Sequence, residues 1–358
     1  MSTRSWFSRS LAPWYRAHGR DLPWRRTRDP YRIWLSEVIL QQTRVDQGTA
    51  YYERFVEHYP TVADLAAAPE GTVMKLWQGL GYYSRARNLV AAARQVVQEH
   101  GGTFPSSFPE LLKLKGVGDY TAAAIASIVF DRPEAVVDGN VYRVLARVFG
   151  IDTPIDSTEG RKQFRALANS LLDPANPGDH NQSVMELGAT VCLPRKPACD
   201  DCPLASRCIA RREESIDRLP VKAGKTKVRD RYFHYLIMRS GNGLWLHQRT
   251  GKDIWRELWQ PPLIETAGAG TKAQVARSAK DLFGIQLGLE ARAGPVRHVL
   301  SHQVIHARFW TVLGSEHIAV PGTWVLVGPA KLKEHAVPRL IERFLESDER
   351  SDLFFRRD

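Results

Sequence analysis

All four cysteines of this chain fall within one window, CLPRKPACDDCPLASRC, running from Cys192 to Cys208 with six, two and five residues between successive members. Thiols confined to so short a stretch share one loop, and no cysteine is left over for any other task. In a reducing compartment such clustering argues for a metal site over a disulfide framework. The rest of the sequence agrees with that compartment. No apolar run approaches the roughly 18 residues of a spanning helix. The first 30 residues lack the continuous apolar core of a secretory signal. The opening MSTRSWFSRS is rich in Arg and Ser, but a patterned segment with Trp14, Tyr15 and GRDLPWR follows at once and leaves little room for a transit peptide. The expectation is a soluble cytoplasmic protein of bacterial type with no membrane partner.

Charge narrows the partner. Fifty Lys and Arg against 39 Asp and Glu leave a formal net charge of +11 and a pI near 9.6, a balance that favours a polyanion such as nucleic acid. With 358 residues, 43% of them hydrophobic, the chain can bury two cores. Amphipathic helical patterns run near 31–58, 61–68, 72–80, 84–100, 108–115, 119–130, 139–149 and 159–173. After the cysteine window, RREESIDRLPVKAGKTKVRDR has no apolar periodicity and reads as an exposed linker, placed at 216–229. Beyond it, 231–239, 243–249, 304–313 and 323–327 are short and rich in aromatic and β-branched residues, as strands are, with helical patterns at 272–283 and 329–346. The organisation expected is a mainly α region over 1–215 and a smaller α+β domain over 230–358.

Three stretches carry chemistry. In LKGVGDYTA, Leu114 to Ala122, a glycine pair separates two helical patterns, so backbone N–H groups at the start of a helix can approach a phosphate with no side chain in the way. Taken alone the pair reads as an ordinary turn between helices. Asp138 in AVVDGNVYRV delivers a carboxylate at the start of the next helix, where Asp-Gly-Asn alone reads as a cap. Glu37 in YRIWLSEVILQQTRV has Ile33, Trp34, Leu40 and Gln41 beside it at helical spacing; burial of that face would raise its pKa toward neutrality and make it a proton donor. One protonated and one ionised carboxylate are what cleavage of a glycosidic bond requires. In a basic protein built to grip phosphate, the bond in question is the N-glycosidic bond of a nucleotide.

Taken together, LKGVGDYTA, the downstream VVDGN and the C-x6-C-x2-C-x5-C spacing resemble the helix-hairpin-helix DNA glycosylases that carry a [4Fe-4S] cluster. The resemblance implies ligation of the cluster by Cys192, Cys199, Cys202 and Cys208; four thiolates with no histidine in the window suit iron–sulfur chemistry, with four-thiolate zinc as the alternative. Strand-nicking relatives carry a lysine where this chain has Tyr120, which implies base removal alone. GRDLPWR, LQQTRV, GLGYYSRARNL and NQSVMELGATVC extend the likeness over almost the whole chain to the MutY-type adenine-DNA glycosylases, which remove adenine mispaired with 8-oxoguanine or guanine in double-stranded DNA. Such a protein works as a monomer and associates with the nucleoid. Its fold would be a six-helix module over about 29–137, a cluster module from 1–28 plus 138–215, and a Nudix-like recognition domain.

Position by position, the resemblance makes Glu37 the acid on adenine and Asp138 the carboxylate facing the sugar, with Tyr120 and Asn140 supporting them. Arg20, Trp24, Arg25 and Gln182 match the adenine pocket. Gln42 and Tyr82 match residues inserted into the opened duplex, and Thr43, Leu80, Gly116 and Gly118 further DNA contacts. HVLSH, His298 to His302, resembles an 8-oxoguanine-sensing loop, with Leu300, Ser301 and His302 toward DNA and Leu300 where the family has an aromatic. AQVARSAKDLFGIQ lacks the glutamates that hold magnesium in a Nudix hydrolase, so this domain is expected to bind rather than hydrolyse. Trp255, Trp259 and the C-terminal FFRRD read as core and solvated surface. Two alternatives stand beside this reading: a related glycosylase for a mispaired or damaged pyrimidine, and a non-catalytic iron–sulfur DNA-binding or redox protein.

Overall fold

The computed structural model describes residues 3–224, 228–284 and 286–347; FFRRD lies outside them. The chain divides into two compact units, Met1–Ala68 with Arg87–Lys225, and Pro69–Ala86 with Thr226–Asp358. Residues 69–86, read from sequence as part of the helical region, therefore belong with the second unit.

The helices in chain order are α1 (Thr3–His18), α2 (Pro30–Leu40), α3 (Val45–His58), α4 (Val62–Ala67), α5 (Glu70–Leu76), α6 (Ser84–His100), α7 (Phe108–Leu111), α8 (Asp119–Phe130), α9 (Gly139–Phe149), α10 (Thr158–Leu171), α11 (Pro177–Thr190) and α12 (Ile209–Arg212). Asp29 caps α2 by accepting from Tyr31 N at 2.8 Å, and Pro30 supplies a φ already suited to a first turn. From Tyr31 to Ile39 only Arg32 escapes burial, so α2 is enclosed on nearly every side. The single helix expected over 31–58 is in fact two: the chain breaks between Leu40 and Val45, where Gln42 has φ +57°. Apolar periodicity resumes in phase enough to hide so short a break.

Three helices were not legible: α1, α11 and the single turn α12. Phe7 and Leu11 of α1 are fully buried in a core shared with Val144, Leu145, Phe164 and Leu187, yet α1 carries Pro13 and an Arg/Ser-rich sequence. Helix α11 opens on NPGDHN, turn-forming residues by composition. A Cβ on Gly188 would meet Asn140 Cβ at 2.6 Å, so only glycine lets α11 lie this close to the start of α9. The segment expected to be an exposed linker is corrected over its first part. Leu219 is buried, Ile155 N donates to Val221 O at 3.0 Å, and the Asp156 carboxylate accepts from Ala223 N and Gly224 N at 2.8 and 3.0 Å. A few apolar side chains and backbone bonds anchor a segment whose composition reads as linker.

In the second unit the strands are β1 (Arg229–Ile237), β2 (Arg239–Ser240), β3 (Gly243–Gln248), β4 (Trp259–Gln260), β5 (Leu263–Thr266), β6 (Gly288–Val299), β7 (Gln303–Leu313) and β8 (Val325–Val327). One sheet runs β5-β1-β7-β6, with β1 parallel to β7 and the other pairs antiparallel; the second runs β2-β3-β4, with β8 on β3. Strand β6 was missed because GLEARAGPVRHV has neither alternation nor β-branched density; it lies at the sheet edge with two register shifts, where Gly and Pro are tolerated. Helix α13 (Lys272–Phe283) starts in a Thr271–Gln274 capping box. The helix expected at 329–346 divides into α14 (Pro329–Leu332) and α15 (Arg339–Glu346), parted before Pro338. Leu340, Ile341, Phe344 and Leu345 of α15 pack into the core with Phe233, Tyr235 and Phe309.

Candidate active site and cysteine loop

In the first unit α2, α8, α9 and α11 each bring one or two polar side chains to one cleft. Glu37, Tyr120, Asp138, Asn140, Arg20, Trp24, Arg25 and Gln182 all border it, together with Thr43. These are the residues that the sequence assigned to catalysis and to a base pocket, drawn from positions more than a hundred residues apart.

Glu37 is 7% exposed, and its Oε2 accepts from the Tyr120 hydroxyl at 2.5 Å. Burial pushes its carboxyl up to about 7; the Tyr120 hydrogen bond opposes the rise, the Asp138 charge adds to it, and Arg25 opposes it. Burial also raises the Tyr120 phenol well above its usual value, keeping it a donor. Asp138 caps α9, accepting from Val141 N at 2.7 Å and from Asn140 Nδ2 at 2.8 Å. Burial raises its pKa as well, opposed by those two bonds and by the Arg143 cation. Asp138 thus has several donors that favour its anion, whereas Glu37 has mainly one.

Two residues that the sequence reading left out organise this wall. Arg143 donates through Nη2 to Asn140 Oδ1 at 2.8 Å and Gly188 O at 2.7 Å, and through Nε to Cys192 O at 2.6 Å, so a hydrogen-bonded path runs from Asp138 to the backbone of the first cysteine. Glu186, fully buried, pairs with Arg20 and Arg25 at 2.7 and 2.8 Å. The signal for Glu186 was its position four residues after Gln182, on the same face of α11.

The hairpin glycines differ from one another. Gly116 has φ +75°, and a Cβ there would meet Asn88 Cβ at 2.6 Å, whereas a Cβ on Gly118, the cap residue of α8, would meet nothing within 4 Å. Gly116 is needed by the fold; the bareness at Gly118 is left for whatever approaches. Exposed Gln42 has φ +57° and Tyr82, in the second unit, φ +45°. Both backbones are held in a conformation that costs a non-glycine residue about 1 kcal/mol or more. Leu80 is buried. In the HVLSH segment His298 and Val299 end β6, paired with Ile305 and Val304 of β7, and Leu300 to His302 form the hairpin tip, closed by Leu300 N donating to Gln303 O at 2.8 Å. Leu300 packs partly against the core, while Ser301 and His302 are exposed. The Tyr82 hydroxyl hydrogen-bonds Ser301 Oγ, and His302 Nε2 lies 3.2 Å from Gln303 Nε2. Trp255 and Trp259 pack against the core of this unit, as read.

The four thiols border an apolar pocket between α9, α11 and the loop. Arg147 Nη1 reaches Cys192 Sγ at 3.5 Å and Leu193 O at 2.7 Å, its Nη2 donates to Pro194 O, and its Nε to Ile216 O and Leu219 O. Burial raises the thiol of Cys202 to about 11 and raises those of Cys199 and Cys208, so loading costs protons that a bound cation must displace. Among the described residues no group of three or more Cys, His, Asp or Glu converges to hold one metal ion. Four thiols and no histidine around an apolar space, with an arginine beside them, fit a multi-iron cluster better than a single zinc.

Comparison with known proteins agrees. Residues 35–170 match the HhH-GPD superfamily of base excision DNA repair proteins, 192–208 the iron-sulfur binding domain of endonuclease III, and 234–347 the NUDIX domain. An adenine DNA glycosylase of Buchnera aphidicola subsp. Acyrthosiphon pisum is 34% identical over 72% of this chain and 74% of its own length. The chain belongs to the adenine DNA glycosylase family. It carries the family's [4Fe-4S] cluster. The rat adenine DNA glycosylase is 47% identical over 63% of this chain, but only 45% of its own length is covered, so the chain spans less than half of this mammalian relative. A solved thermostable thymine-DNA glycosylase is 32% identical with a TM-score of 0.55, covering 59% of this chain and 97% of its own. Among the described residues no helix is long and apolar enough to cross a membrane.

Proposed function

We propose that this protein removes adenine mispaired with 8-oxoguanine or guanine from double-stranded DNA, hydrolysing the N-glycosidic bond without nicking the strand. The observation that carries the reading is the pair of buried carboxylates, Glu37 and Asp138, set in different hydrogen-bonding surroundings around one cleft in a chain of this family. Adenine extruded from the stack enters that cleft. Glu37, protonated near neutral pH, donates to adenine N7, and the electron pair of the C1′–N9 bond leaves with the neutral base. Asp138, whose anion Val141 N, Asn140 and Arg143 favour against the burial that raises its pKa, faces the oxocarbenium-like sugar until water adds to C1′ and passes its proton to the Glu37 carboxylate. Tyr120 holds the Glu37 carboxyl in place, and a tyrosine there supplies no amine for a Schiff base. Cys192, Cys199, Cys202 and Cys208 would ligate the cluster, whose iron–thiolate bonds would hold the loop between the end of α11 and the start of α12. The open backbone at Gly118 meets a DNA phosphate, Gln42 and Tyr82 enter the opened stack, and Ser301 and His302 read the base opposite adenine.

Single-turnover assays on duplexes with adenine opposite 8-oxoguanine, guanine or thymine test this reading. Base release is expected opposite the first two, with strand breaks only after alkali and little borohydride trapping. Activity on thymine opposite guanine in place of adenine, or efficient trapping, would overturn it.

A further inference from the structure

Glu186 stands at the back of the cleft with no surface exposed. Its Oε1 accepts from Arg20 N at 3.0 Å and Arg20 Nε at 2.7 Å; its Oε2 accepts from Arg20 Nη2 at 2.9 Å and Arg25 Nη2 at 2.8 Å. One carboxylate serves two guanidinium groups in a wall that also contains Glu37. Arg25 has a second anchor, Nη1 to Arg20 O at 3.0 Å, and its side chain is 14% exposed. It would therefore stay in the pocket, poorly screened by water, if its counter-charge were lost.

That arrangement resolves a conflict. Guanidinium groups suit a base pocket because they donate to ring nitrogens, but an unbalanced cation beside a carboxyl favours its ionised form. The groups facing Glu37 are Tyr120 from α8, Asp138 from the start of α9, and Arg25 from the turn Pro23–Arg25 that precedes α2. Of these, Arg25 alone is a cation. We propose that Glu186 is a positioning residue that neutralises Arg20 and Arg25, so that both can line the base pocket without stripping the proton from Glu37. Burial works to raise the Glu186 pKa, but the bonds from Arg20 and Arg25 outweigh it and hold the group at about 2, ionised wherever the enzyme works. The proposal rests on the reading of Glu37 as the proton donor.

The test is the pH dependence of single-turnover adenine release by the full-length, cluster-loaded protein. The wild type should lose rate as pH rises through the Glu37 pKa. In Glu186→Gln that alkaline limb should move down on the order of one pH unit, a loss of about tenfold at pH 8 and much less at pH 6. Glu186→Asp keeps the charge and should keep the limb. Adding Arg25→Gln to Glu186→Gln should return the limb toward its wild-type position even though the overall rate stays low. Glu186→Gln that lowers the rate by one factor at every pH, with the limb unmoved, overturns the proposal and leaves Glu186 a packing residue. Should Glu186→Gln lack a native circular dichroism spectrum, Arg25→Gln in the otherwise wild-type protein decides: the limb should move up, and an unmoved or lowered limb overturns the proposal. Glu37→Gln separates the two levels. Retained turnover in that variant removes the acid reading itself, whereas an inactive Glu37→Gln with an unmoved limb in Glu186→Gln removes only the role given to Glu186.

Discussion

Two sites, one in each unit of this protein, bury charge in opposite ways. In the first, Glu37 lies buried with a tyrosine hydroxyl as its close partner, and its carboxyl is pushed up to about 7. In the second, Arg231 of β1, 7% exposed, donates to Glu265 at 2.7 and 2.6 Å and to Asp253 at 2.9 and 2.7 Å, while Arg249 donates to Asp253 at 2.9 Å. There the Asp253 carboxyl stays below its usual range: burial works against it, but the Arg231 hydrogen bond and both arginine charges win. Both arginines also lie over the Phe233 ring, at 4.7 and 5.8 Å. Desolvation acts on both sites; only the counter-charge differs. A buried charge with its partners supplied is scaffolding, here behind the hairpin tip through Gln303, whereas one denied them is held near its titration point and can move a proton.

The comparison breaks most sharply at Glu37. Glu37→Gln keeps shape but removes the transferable proton, and base release should fall by about 10³-fold or more with duplex binding retained. Retained turnover would mean that the raised pKa has no catalytic use. The same variant has a stability signature. Because the folded pKa lies above the unfolded value, the folded state holds a proton that the unfolded chain has released, so stability falls as pH rises from about 4.5 toward 7 and stays lowered above it. Glu37→Gln removes that penalty and should raise stability by roughly 1–3 kcal/mol at pH 8, with little change at pH 4, read by urea unfolding at both values.

Asp138→Asn comes next. Asparagine caps a helix as well as aspartate does, so α9 should remain intact while the lost charge costs about 10²–10³-fold in base release. A rate within tenfold of wild type would remove the electrostatic role. Arg231→Met sharpens the other side of the comparison. Asp253 and Glu265 are 31% and 42% exposed, so water would take up part of the orphaned charge, and the loss should be about 1–3 kcal/mol of stability. The alkaline limb of base release should not move; a moved limb would end the separation between paired and unpaired charge drawn here. The smallest effect belongs to exposed groups. Ser301→Ala with His302→Ala should weaken the preference for adenine opposite 8-oxoguanine by about two- to tenfold per lost contact, leaving release opposite guanine near its original rate. An unchanged ratio on the two mispairs would take the reading role from this hairpin.

Much of this was legible in the chain. The carboxylates, the glycine hairpin and the cysteine spacing are local patterns, and local patterns follow from backbone geometry and short-range periodicity. That is why the helix limits at 84–100, 119–130 and 139–149 coincide with the observed α6, α8 and α9. Position in the sequence also announced that Glu37 would sit among apolar neighbours. The break after Leu40, the long edge strand β6 and the packing of Leu219 were not legible, because each depends on a neighbour far away in sequence overriding weak local preference. The same holds for the partners of the buried charges. Glu186 is one more glutamate on a helix until Arg20 and Arg25 are brought to it from more than 160 residues away, and Arg143 one more basic residue until Gly188 lets α11 close against Asn140. Sequence determined which side chains could do chemistry here; the tertiary fold decided which of them are denied water, and which are given a counter-charge, because desolvation and pairing are properties of three-dimensional neighbourhoods that no local pattern encodes.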